Sequence, residues 1–343
     1  MPAVSASAKI LVTGASGLLA THVIRTLLSQ GSEVVGTVRT PAKGDYLVNL
    51  FSSNKFSYTI VENIDAANAF DTIVAAGNFD GIVHVASPFN MRLSEVSDFM
   101  DPAIRGTTNI LQSALNLGPT VKRVVITSSA AAILEPHPAP YTYTESDWNE
   151  ASIRAVEENR ASLGEIYSAS KTPAERAAWK FVEEHKSEMA FDLTVICPVW
   201  IMGPIIHHVT TPDSLNASHA LFWGILKSKQ EDLTPEITGA SQGYVADVRD
   251  MALAHVRALS VEEAGGKRFL AADAPWSNQD VYDVLNEAGV ANIPKGHPGS
   301  QLREITLQDN TQSVRLLGLE FRGRRDVIMS TYNTLKEHFP SEL

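Results

Sequence analysis

The segment Lys9-Ile-Leu-Val-Thr-Gly-Ala-Ser-Gly-Leu-Leu-Ala20 decides the fold, because a short β-branched run passes directly into two glycines and then into a helical pattern. From Leu18, apolar residues recur at three- and four-residue spacing, as on the buried face of a helix. In such a unit Gly14 permits a tight turn, Gly17 lets the backbone approach a diphosphate, and Ala20 allows close packing. The segment therefore predicts a nucleotide site at a helix N-terminus. The alternative is an ordinary strand–helix turn, since the glycine spacing alone is a weak signal.

Strand and helix patterns alternate along more than half of the chain. The predicted strands are residues 9–13, 33–38, 57–61, 81–86, 123–127 and 193–197, and the predicted helices are residues 18–30, 66–76, 102–117 and 162–185. Strands that are apolar on both faces imply a parallel sheet covered on both sides. Right-handed crossovers then predict an α/β fold, a doubly wound parallel sheet of the Rossmann type with six or seven strands.

A second, smaller lobe is expected after Pro198, because proline, glycine and histidine become frequent there and the alternation weakens. The sequence predicts a flexible N-terminus over residues 1–8 and a nucleotide-binding domain over residues 9–199. Residues 200–343 are predicted to form mainly a substrate-binding lobe. Segments near residues 245–272 are expected to return to the first domain.

Composition excludes several classes of function. The 343 residues carry a net charge of −11, which argues against a protein that binds nucleic acid through clustered cations. No apolar stretch approaches the roughly 20 residues of a membrane helix, and the first residues lack the apolar core of a secretory signal. Cys197 is the single cysteine, so no intramolecular disulfide can form. We expect a cytoplasmic protein that binds neither nucleic acid nor membranes.

The end of the second predicted strand indicates which dinucleotide is bound. An acidic residue there would accept a hydrogen bond from the ribose 2′-hydroxyl of NAD, whereas this strand ends at Arg39 and Lys43 follows four residues later. A guanidinium suits a 2′-phosphate, so the sequence favours NADPH. The alternative is that Arg39 is a solvated surface charge.

A candidate catalytic group follows from two short motifs. Tyr167 and Lys171 are four residues apart, on one face of a predicted helix. A tyrosine is a poor acid at neutral pH, and a nearby ammonium lowers the pKa of a phenol, so this pair suits proton donation to a carbonyl oxygen. Ser128 and Ser129 end a predicted central strand, at the rim where open α/β sheets hold ligands. Alone, the tyrosine–lysine spacing occurs by chance and a serine there can be a turn or cap residue.

Taken together, these motifs resemble the extended short-chain dehydrogenase/reductase superfamily. Within it, the chain is most similar to the fungal NADPH-dependent ketoreductase, methylglyoxal-reductase and aldehyde-reductase group, related to plant dihydroflavonol reductases. The resemblance runs from Ile10 to about Thr334. Its carriers are Val12-Thr-Gly-Ala-Ser-Gly17, Gly36-Thr-Val-Arg39, His84-Val-Ala-Ser-Pro-Phe89, Pro102-Ala-Ile-Arg-Gly106, Arg123-Val-Val-Ile-Thr-Ser-Ser129, Glu145-x-x-Trp148-Asn149, Tyr167-x-x-x-Lys171, Ala177-Ala-Trp179, Pro198-Val-Trp200, Gly203-Pro204 and Val245-x-Asp247-Val-Arg-Asp250.

The resemblance implies a role for each matching residue. Ser129 would hydrogen-bond the substrate carbonyl, Tyr167 would donate the proton, and Lys171 would bind the nicotinamide ribose and tune Tyr167. The implied cofactor residues are Gly14, Ser16, Gly17, Leu18, Leu19, Arg39, Lys43, Asn63, Ile64, Ala86, Ser87, Tyr167, Lys171, Pro198, Val199 and Ser218. The implied substrate pocket comprises Phe89, Ala130, Leu134, Gly164 and Trp200, and no metal is implied.

Three positions depart from the pattern of the relatives. Asn63 stands where an aspartate usually binds the adenine amino group, and its amide oxygen can accept that hydrogen bond without charge. Arg105 replaces a common asparagine, which puts a proton relay through that helix in doubt. Ala130 is small where some relatives carry an aromatic residue, which predicts a roomier pocket partly offset by Trp200.

The resulting expectation is an NADPH-dependent carbonyl reductase that converts an aldehyde, ketone or α-dicarbonyl into an alcohol, possible as a homodimer. One alternative is a sugar-nucleotide epimerase or dehydratase of the same fold. A second is a non-catalytic NADPH-sensing module, although such a module would not require the tyrosine–lysine pair. His84 is expected to be a core histidine, His207 and His208 to lie in a loop, and Cys197 to be an inert buried thiol.

Overall fold

The computed structural model of the chain describes residues 4–87, 97–138, 140–301 and 306–343. Its strands are β1 (Lys9–Thr13), β2 (Glu33–Val38), β3 (Phe56–Ile60), β4 (Gly81–His84), β5 (Arg123–Thr127), β6 (Tyr141–Tyr143), β7 (Asp192–Pro198), β8 (Trp200–Met202), β9 (Ser241–Asp247), β10 (Arg268–Ala271), β11 (Ala274–Ser277) and β12 (Thr306–Gln308). The longer ones are rich in valine, isoleucine and leucine, which suits strands covered on both faces.

Some of the helices begin at a capping side chain or a proline. The helices are α1 (Leu18–Ser29), α2 (Pro41–Phe51), α3 (Asp71–Gly77), α4 (Ser97–Leu117), α5 (Ala151–Glu157), α6 (Leu163–Glu184), α7 (Ala217–Leu226), α8 (Pro235–Gly239), α9 (Val248–Ser260), α10 (Asn278–Glu287), α11 (Thr311–Leu317) and α12 (Arg324–His338). At α6, the Ser162 hydroxyl accepts from the Glu165 N–H while the Glu165 carboxylate accepts from the Ser162 N–H. This capping box sets the start, and hence the register, of α6.

Within the described chain, seven strands form one parallel sheet in the order β10-β7-β5-β4-β1-β2-β3. Leu11 of β1 is in register with Val35 of β2 on one side and with Ile82 of β4 on the other. The predicted doubly wound α/β fold is confirmed. Because the chain builds outward from β1 in both directions, the connections after β1 and β4 leave on opposite sides and open a crevice at the strand ends.

The two faces of this sheet are covered by different helices. Val23 of α1 and Met251 of α9 belong to the apolar cluster on one face. Val74 of α3, Leu111 of α4 and Phe181 of α6 belong to the cluster on the other face. All five are buried, so β1, β4 and β5 run between two apolar layers and only their ends reach the crevice.

The later part of the chain has its own small sheets and apolar cluster. Strands β11, β9 and β8 form a mixed sheet, and β12 pairs in parallel with β6. Phe222 of α7, Tyr282 of α10 and Leu335 of α12 pack together in a third cluster. In contrast, α9 packs against α1, and β10 is an edge strand of the main sheet. The division at residues 199 and 200 stays a prediction.

Some local expectations differ from the structure. Val4 is 3% exposed and its N–H donates to the Leu259 carbonyl at 3.0 Å, whereas residues 5–7 are exposed; the flexibility of residues 1–8 stays a prediction. Helix α3 begins five residues later than predicted, because Asn68 adopts a left-handed conformation with φ of 60° and interrupts the helix. No helix among the described residues is long and apolar enough to span a membrane.

Helix α2 is absent from the predicted elements. Its sequence contains Gly44 and Asp45, which are typical of a turn. The structure explains the glycine, because a Cβ at Gly44 would lie 2.3 Å from the Tyr58 ring on β3. A helix can therefore pack on this edge of the sheet only with glycine at that position.

Several histidines are buried and neutral. Burial is the largest cause that lowers their pKa values, to about 4 for His22, about 3 for His84, about 3 for His207, about 4 for His219 and about 4 for His255. His255 Nδ1 donates to the Met251 carbonyl at 2.7 Å, so in the neutral ring Nε2 accepts from the Thr127 hydroxyl at 2.8 Å. This contact ties α9 to the end of β5.

These histidines should make the protein sensitive to acid. Their folded pKa values lie below the unfolded value, so the stabilisation is complete above about pH 6.5 and is lost as the pH falls toward 4. At pH 5, each histidine should lower the free energy of unfolding by roughly 2 kcal/mol. Urea titrations give the free energy of unfolding at pH 7 and at pH 5. The decrease between these two pH values should be about 2 kcal/mol smaller in His255→Gln than in the unmodified protein. The exposed-site control His208→Gln should match the unmodified protein, and equal pH dependence in all three would contradict the assignment.

Candidate active site

The turn after β1 is fixed between the ends of two neighbouring strands. Gly14 has φ of +66°, and a Cβ there would lie 2.9 Å from the Cα of Ala86, just beyond β4. The Gly14 N–H donates to the Thr37 hydroxyl at 3.1 Å, and the Ala15 N–H donates to the Thr37 carbonyl at 2.9 Å. The turn therefore lies at the point where the crevice opens, between β2 and β4.

Helix α1 starts in this turn without a side-chain cap. Gly17 is the N-cap residue, and the first turn of α1 contains no acidic side chain in the described chain. The N–H groups of a first helical turn have no acceptor within the helix and lie at the positive end of its dipole. The segment containing Gly14, Ser16, Gly17, Leu18 and Leu19 can therefore bind an anion such as a diphosphate.

Two exposed cations lie at the end of β2. Arg39 directly follows the strand, and Lys43 lies in the first turn of α2; both side chains are exposed. Neither cation forms an ion pair with any described residue, and the first turn of α2 has no acidic side chain. Two unpaired cations and a helix N-terminus together suit a phosphate group.

The loop after β3 carries two of the candidate cofactor residues, Asn63 and Ile64. The amide oxygen of Asn63 accepts from the Asp65 N–H at 3.2 Å, so one of its two lone pairs is already used within the loop. Arg105 of α4 lies 3.0 Å from the Asp65 carboxylate, and Asn109 donates to the Ile64 carbonyl at 3.0 Å. The sequence assigned no partner to Arg105. In the structure, its side chain connects this loop to α4.

Helix α6 brings Lys171 to the end of β4. The Lys171 ammonium donates to the Ser87 hydroxyl at 2.8 Å and lies 5.3 Å from the centroid of the Tyr167 ring. The lysine is 8% exposed, whereas Tyr167 is half-buried. Four-residue spacing on a capped helix thus produces the predicted pair, with the cation next to the phenol ring.

The two serines after β5 have different environments. The Ser128 hydroxyl donates to the Glu175 carboxylate at 2.6 Å, so its proton is already used. The Ser129 oxygen accepts from the Ala131 N–H at 3.1 Å, and its hydroxyl proton has no acceptor among the residues described. Of the two serines, Ser129 is therefore the one with a hydroxyl proton left to donate, and its contact with a substrate stays a prediction.

The remaining candidate residues lie on several elements. Pro198 ends β7 and Val199 follows it, while Ser218 lies in the first turn of α7, where the neighbouring His219 Nε2 donates to the Gly203 carbonyl at 2.8 Å. The proposed contacts of Pro198, Val199 and Ser218 with a cofactor stay predictions.

The candidate substrate residues also differ in environment. Trp200 is 41% exposed, and Gly164 is exposed with open space where a Cβ would stand. Leu134 is half-buried, whereas Ala130 is 3% exposed within an apolar cluster, so little open volume adjoins its methyl group. Phe89 lies outside the described residues.

A small cavity lies behind Lys171. It leaves about 20 Å³ open to the centre of a water molecule and is lined by His84, Ser87, Thr107, Ser128 and Glu175, among others. His84 Nδ1 is hydrogen-bonded to the Thr13 hydroxyl at 2.9 Å, whereas its Nε2 has no partner in the described structure. The volume suffices for one buried water.

Other residues considered from sequence have structural environments. Cys197 is fully buried, and burial followed by the charge of Glu175 raises the pKa of its thiol, which leaves it protonated and unreactive. Asp247 caps α9 by accepting from the Arg249 N–H at 2.8 Å. Among the described residues, no three histidine, cysteine or acidic side chains are grouped so that they could hold a metal ion.

Sequence reasoning missed three residues that hold the site together. The Asn149 side chain donates to the Ala131 carbonyl at 3.0 Å, which fixes the turn that follows Ser129. Glu175 and Arg268 form a buried pair beside Ser128. A signal existed for Glu175, one turn beyond Lys171 on the same helix, but Arg268 is distant in sequence and carries no local motif.

These groups together can perform one kind of chemistry. Ser129 offers a hydroxyl proton, Tyr167 offers a phenol hydroxyl, and Lys171 places a positive charge beside the phenol ring. A carbonyl oxygen bound between the two hydroxyls would be polarised and could receive a proton.

Comparison with known proteins identifies the family of the chain. Residues 10–272 match the family described as "NAD dependent epimerase/dehydratase family". The chain is 35% identical to the NADPH-dependent methylglyoxal reductase GRE2 of Saccharomyces cerevisiae, over 94% of this chain and 96% of that protein. It is 36% identical to the ketoreductase azaE of Aspergillus niger, over 97% of this chain and 99% of that protein.

Solved structures show the same similarity. The crystal structure of yeast methylglyoxal/isovaleraldehyde reductase Gre2 complexed with NADPH matches with a TM-score of 0.87 and 32% identity, covering 98% of this chain and 100% of that one. Since both the sequence match and the structural match span nearly the full length, the chain belongs to the NAD dependent epimerase/dehydratase family, within the extended short-chain dehydrogenases/reductases.

Proposed function

We propose that this protein is an NADPH-dependent carbonyl reductase that converts an aldehyde, ketone or α-dicarbonyl into an alcohol. The observation that carries the proposal is the pairing of Tyr167 with Lys171, together with Ser129, whose hydroxyl proton has no acceptor among the described residues. Relatives of similar length are named NADPH-dependent methylglyoxal reductase and ketoreductase. Both the site and the relatives support chemistry at a carbonyl group.

The proposed cofactor is NADPH, because the chain offers a separate site for each of its charged groups. The N–H groups at the start of α1 would bind the diphosphate, and Arg39 with Lys43 would bind the 2′-phosphate. The amide oxygen of Asn63 would accept a hydrogen bond from the adenine amino group, and Lys171 would bind the nicotinamide ribose. The bound cofactor supplies the hydride.

The side chains of the protein would supply the proton and the orientation. Ser129 and Tyr167 would both donate hydrogen bonds to the carbonyl oxygen, which polarises the carbonyl and makes its carbon more electrophilic. The Tyr167 hydroxyl would then pass its proton to that oxygen as negative charge develops there. Lys171 would stabilise the phenolate that remains, and its hydrogen bond to Ser87 fixes the ammonium in place.

The alternatives from the sequence explain fewer of these features. A sensor module has no need of a tyrosine beside a buried lysine, and an enzyme that retains NAD has no need of cations at the end of β2. A cytoplasmic location and a homodimer stay predictions of the sequence.

Replacing Arg39 should change the cofactor preference. In Arg39→Asp, loss of a charge-assisted hydrogen bond, worth roughly 1.5–3 kcal/mol, should lower kcat/KM for NADPH about 10- to 100-fold. The value for NADH should not fall, because NADH lacks the 2′-phosphate. Arg315→Asp, at an exposed position on α11, is the matched control for the charge change. Equal losses with both cofactors would refute the assignment of Arg39.

Replacing Tyr167 should remove the proton donor. With a panel of α-dicarbonyls, aliphatic aldehydes and aryl ketones, NADPH oxidation followed by absorbance should fall about 10²- to 10⁴-fold in Tyr167→Phe. Tyr332→Phe, which removes a hydroxyl from a buried tyrosine on α12, should retain full activity.

Two results would overturn the proposed function. Tight NADPH binding without turnover of any carbonyl would favour the sensor. Co-purified NAD, together with a melting temperature raised by a UDP-sugar, would favour an epimerase or dehydratase.

A further inference from the structure

Glu175 continues the line of functional side chains on α6 by one more turn. Tyr167, Lys171 and Glu175 are each four residues apart, which keeps them on one side of the helix. The Glu175 side chain is 1% exposed, and none of the cofactor or proton-transfer steps proposed above involves it. A buried carboxylate at the active site requires a structural reason, because burial of a charge is costly.

Four side chains converge on the Glu175 carboxylate. Its Oε2 accepts from the Ser128 hydroxyl at 2.6 Å and from Arg268 Nη2 at 3.1 Å, and the Cys197 thiol lies 3.6 Å away. Its Oε1 accepts from Trp179 Nε1 at 3.1 Å and lies 2.7 Å from Arg268 Nε. One carboxylate therefore connects α6 with the ends of β5 and β7 and with β10.

Arg268 is itself held in a fixed position. Its guanidinium lies 3.7 Å from the centroid of the Trp148 ring, and its Nη1 donates to the carbonyls of Glu145 at 2.9 Å and Asp147 at 2.8 Å. The side chain is 9% exposed. Glu175 thus has an immobile partner, and the carboxylate cannot turn away from Ser128 without leaving a buried arginine unpaired.

Stability alone does not account for such a pair. Replacement of a buried ion pair by well-packed apolar side chains is often neutral or stabilising, by about 1–4 kcal/mol. What apolar side chains would not provide is a short hydrogen bond of fixed direction to Ser128. Specific geometry at the end of β5 is therefore the distinctive contribution of Glu175 and Arg268.

That geometry determines where Ser129 points. The Ser128 N–H donates to the Ile196 carbonyl at 2.7 Å and its hydroxyl donates to Glu175, so this residue is held by backbone and side chain. Ser129 follows with extended backbone angles, φ −158° and ψ 150°. Ser129 is the next residue of the chain, and its oxygen accepts from the Ala131 N–H at 3.1 Å. Anchoring Ser128 by backbone and side chain therefore fixes the place from which the Ser129 side chain leaves the chain.

We infer that Glu175 is a positioning residue. It acts through Ser128 to hold the Ser129 hydroxyl at a fixed place relative to Tyr167, which lies on α6 with Glu175. The inference rests on the proposed function, since it concerns the alignment of the two hydroxyls that would bind the carbonyl oxygen. It predicts that the Ser128 hydroxyl matters for the rate of hydride transfer, although it never touches the substrate. NADPH affinity should not depend on it.

Single-turnover kinetics with a matched pair of variants test this inference. In Ser128→Ala, with saturating NADPH and the best carbonyl of the panel, hydride transfer should slow roughly 10- to 100-fold, because misplacement of a reacting group by about 1 Å can cost 10²-fold. The NADPH Kd should stay within twofold. Ser128→Thr, which restores the hydroxyl and has the adjoining cavity for its methyl group, should recover a rate within about threefold of the unmodified enzyme.

Ser113→Ala separates positioning from simple loss of a buried hydrogen bond. Ser113 is 1% exposed and donates to the Asp71 carboxylate of α3 at 2.5 Å, and neither residue is a proposed catalytic or cofactor-binding group. The Ser113→Ala variant should be less stable than the unmodified enzyme, but its rate of hydride transfer should be unchanged. A rate within threefold of the unmodified enzyme in Ser128→Ala, or an equal loss of rate in Ser113→Ala, would overturn the inference.

A double-variant cycle tests the link to Glu175 itself. If Ser128 acts through Glu175, the double variant Ser128→Ala/Glu175→Gln should be about as slow as the slower single variant, whereas multiplied losses would overturn the link. Tyr167→Phe serves as the reference. If Tyr167→Phe is inactive while Ser128→Ala is not slowed, only the inference fails. If Tyr167→Phe is fully active, the proposed function fails.

Discussion

The order of strands around β1 is the constraint on which the rest of the structure depends. Since β1 lies between β2 and β4, the chain has to leave the carboxyl ends of β1 and β4 in opposite directions, which opens a crevice that no side chain needs to create. Gly14 fits this crevice only because it has no Cβ to collide with Ala86. The same topology places the uncapped start of α1 and the cations after β2 close to this crevice, because both follow the carboxyl ends of neighbouring strands.

The periodicity of helix α6 determines where the candidate catalytic side chains lie. A capping box fixes where α6 starts, and a repeat of four residues then places Tyr167, Lys171 and Glu175 along one side. The three have different neighbours. The Tyr167 ring lies 5.3 Å from the Lys171 ammonium, the ammonium donates to Ser87, and the Glu175 carboxylate contacts Ser128 and Arg268. The proposed proton donor and the buried carboxylate therefore lie on one helix, which connects groups at the ends of several strands.

Sequence alone predicts the features that depend on local pattern. The bounds of β1, β2 and β5 follow from short apolar runs, and Tyr167 with Lys171 follows from helical spacing. Helix α2 was missed because Gly44 resembles a turn residue, and its real reason is a contact with Tyr58, which is distant in sequence. The Glu175–Arg268 pair was missed for the same reason, since 93 residues separate its members and only the folded sheet brings them together.

The end of β5 shows how local and distant contacts combine. Successive side chains of a strand alternate between its faces, and here each face has its own anchor: His255 of α9 accepts from Thr127, and Glu175 of α6 accepts from Ser128. Ser129, the next residue, accepts from the Ala131 N–H and keeps its hydroxyl proton unused within the described structure. Two anchored residues thus precede one that is free to donate. A neutral imidazole and a carboxylate can both accept, so the end of β5 is anchored on both faces while the Ser129 hydroxyl proton stays unused among the described residues.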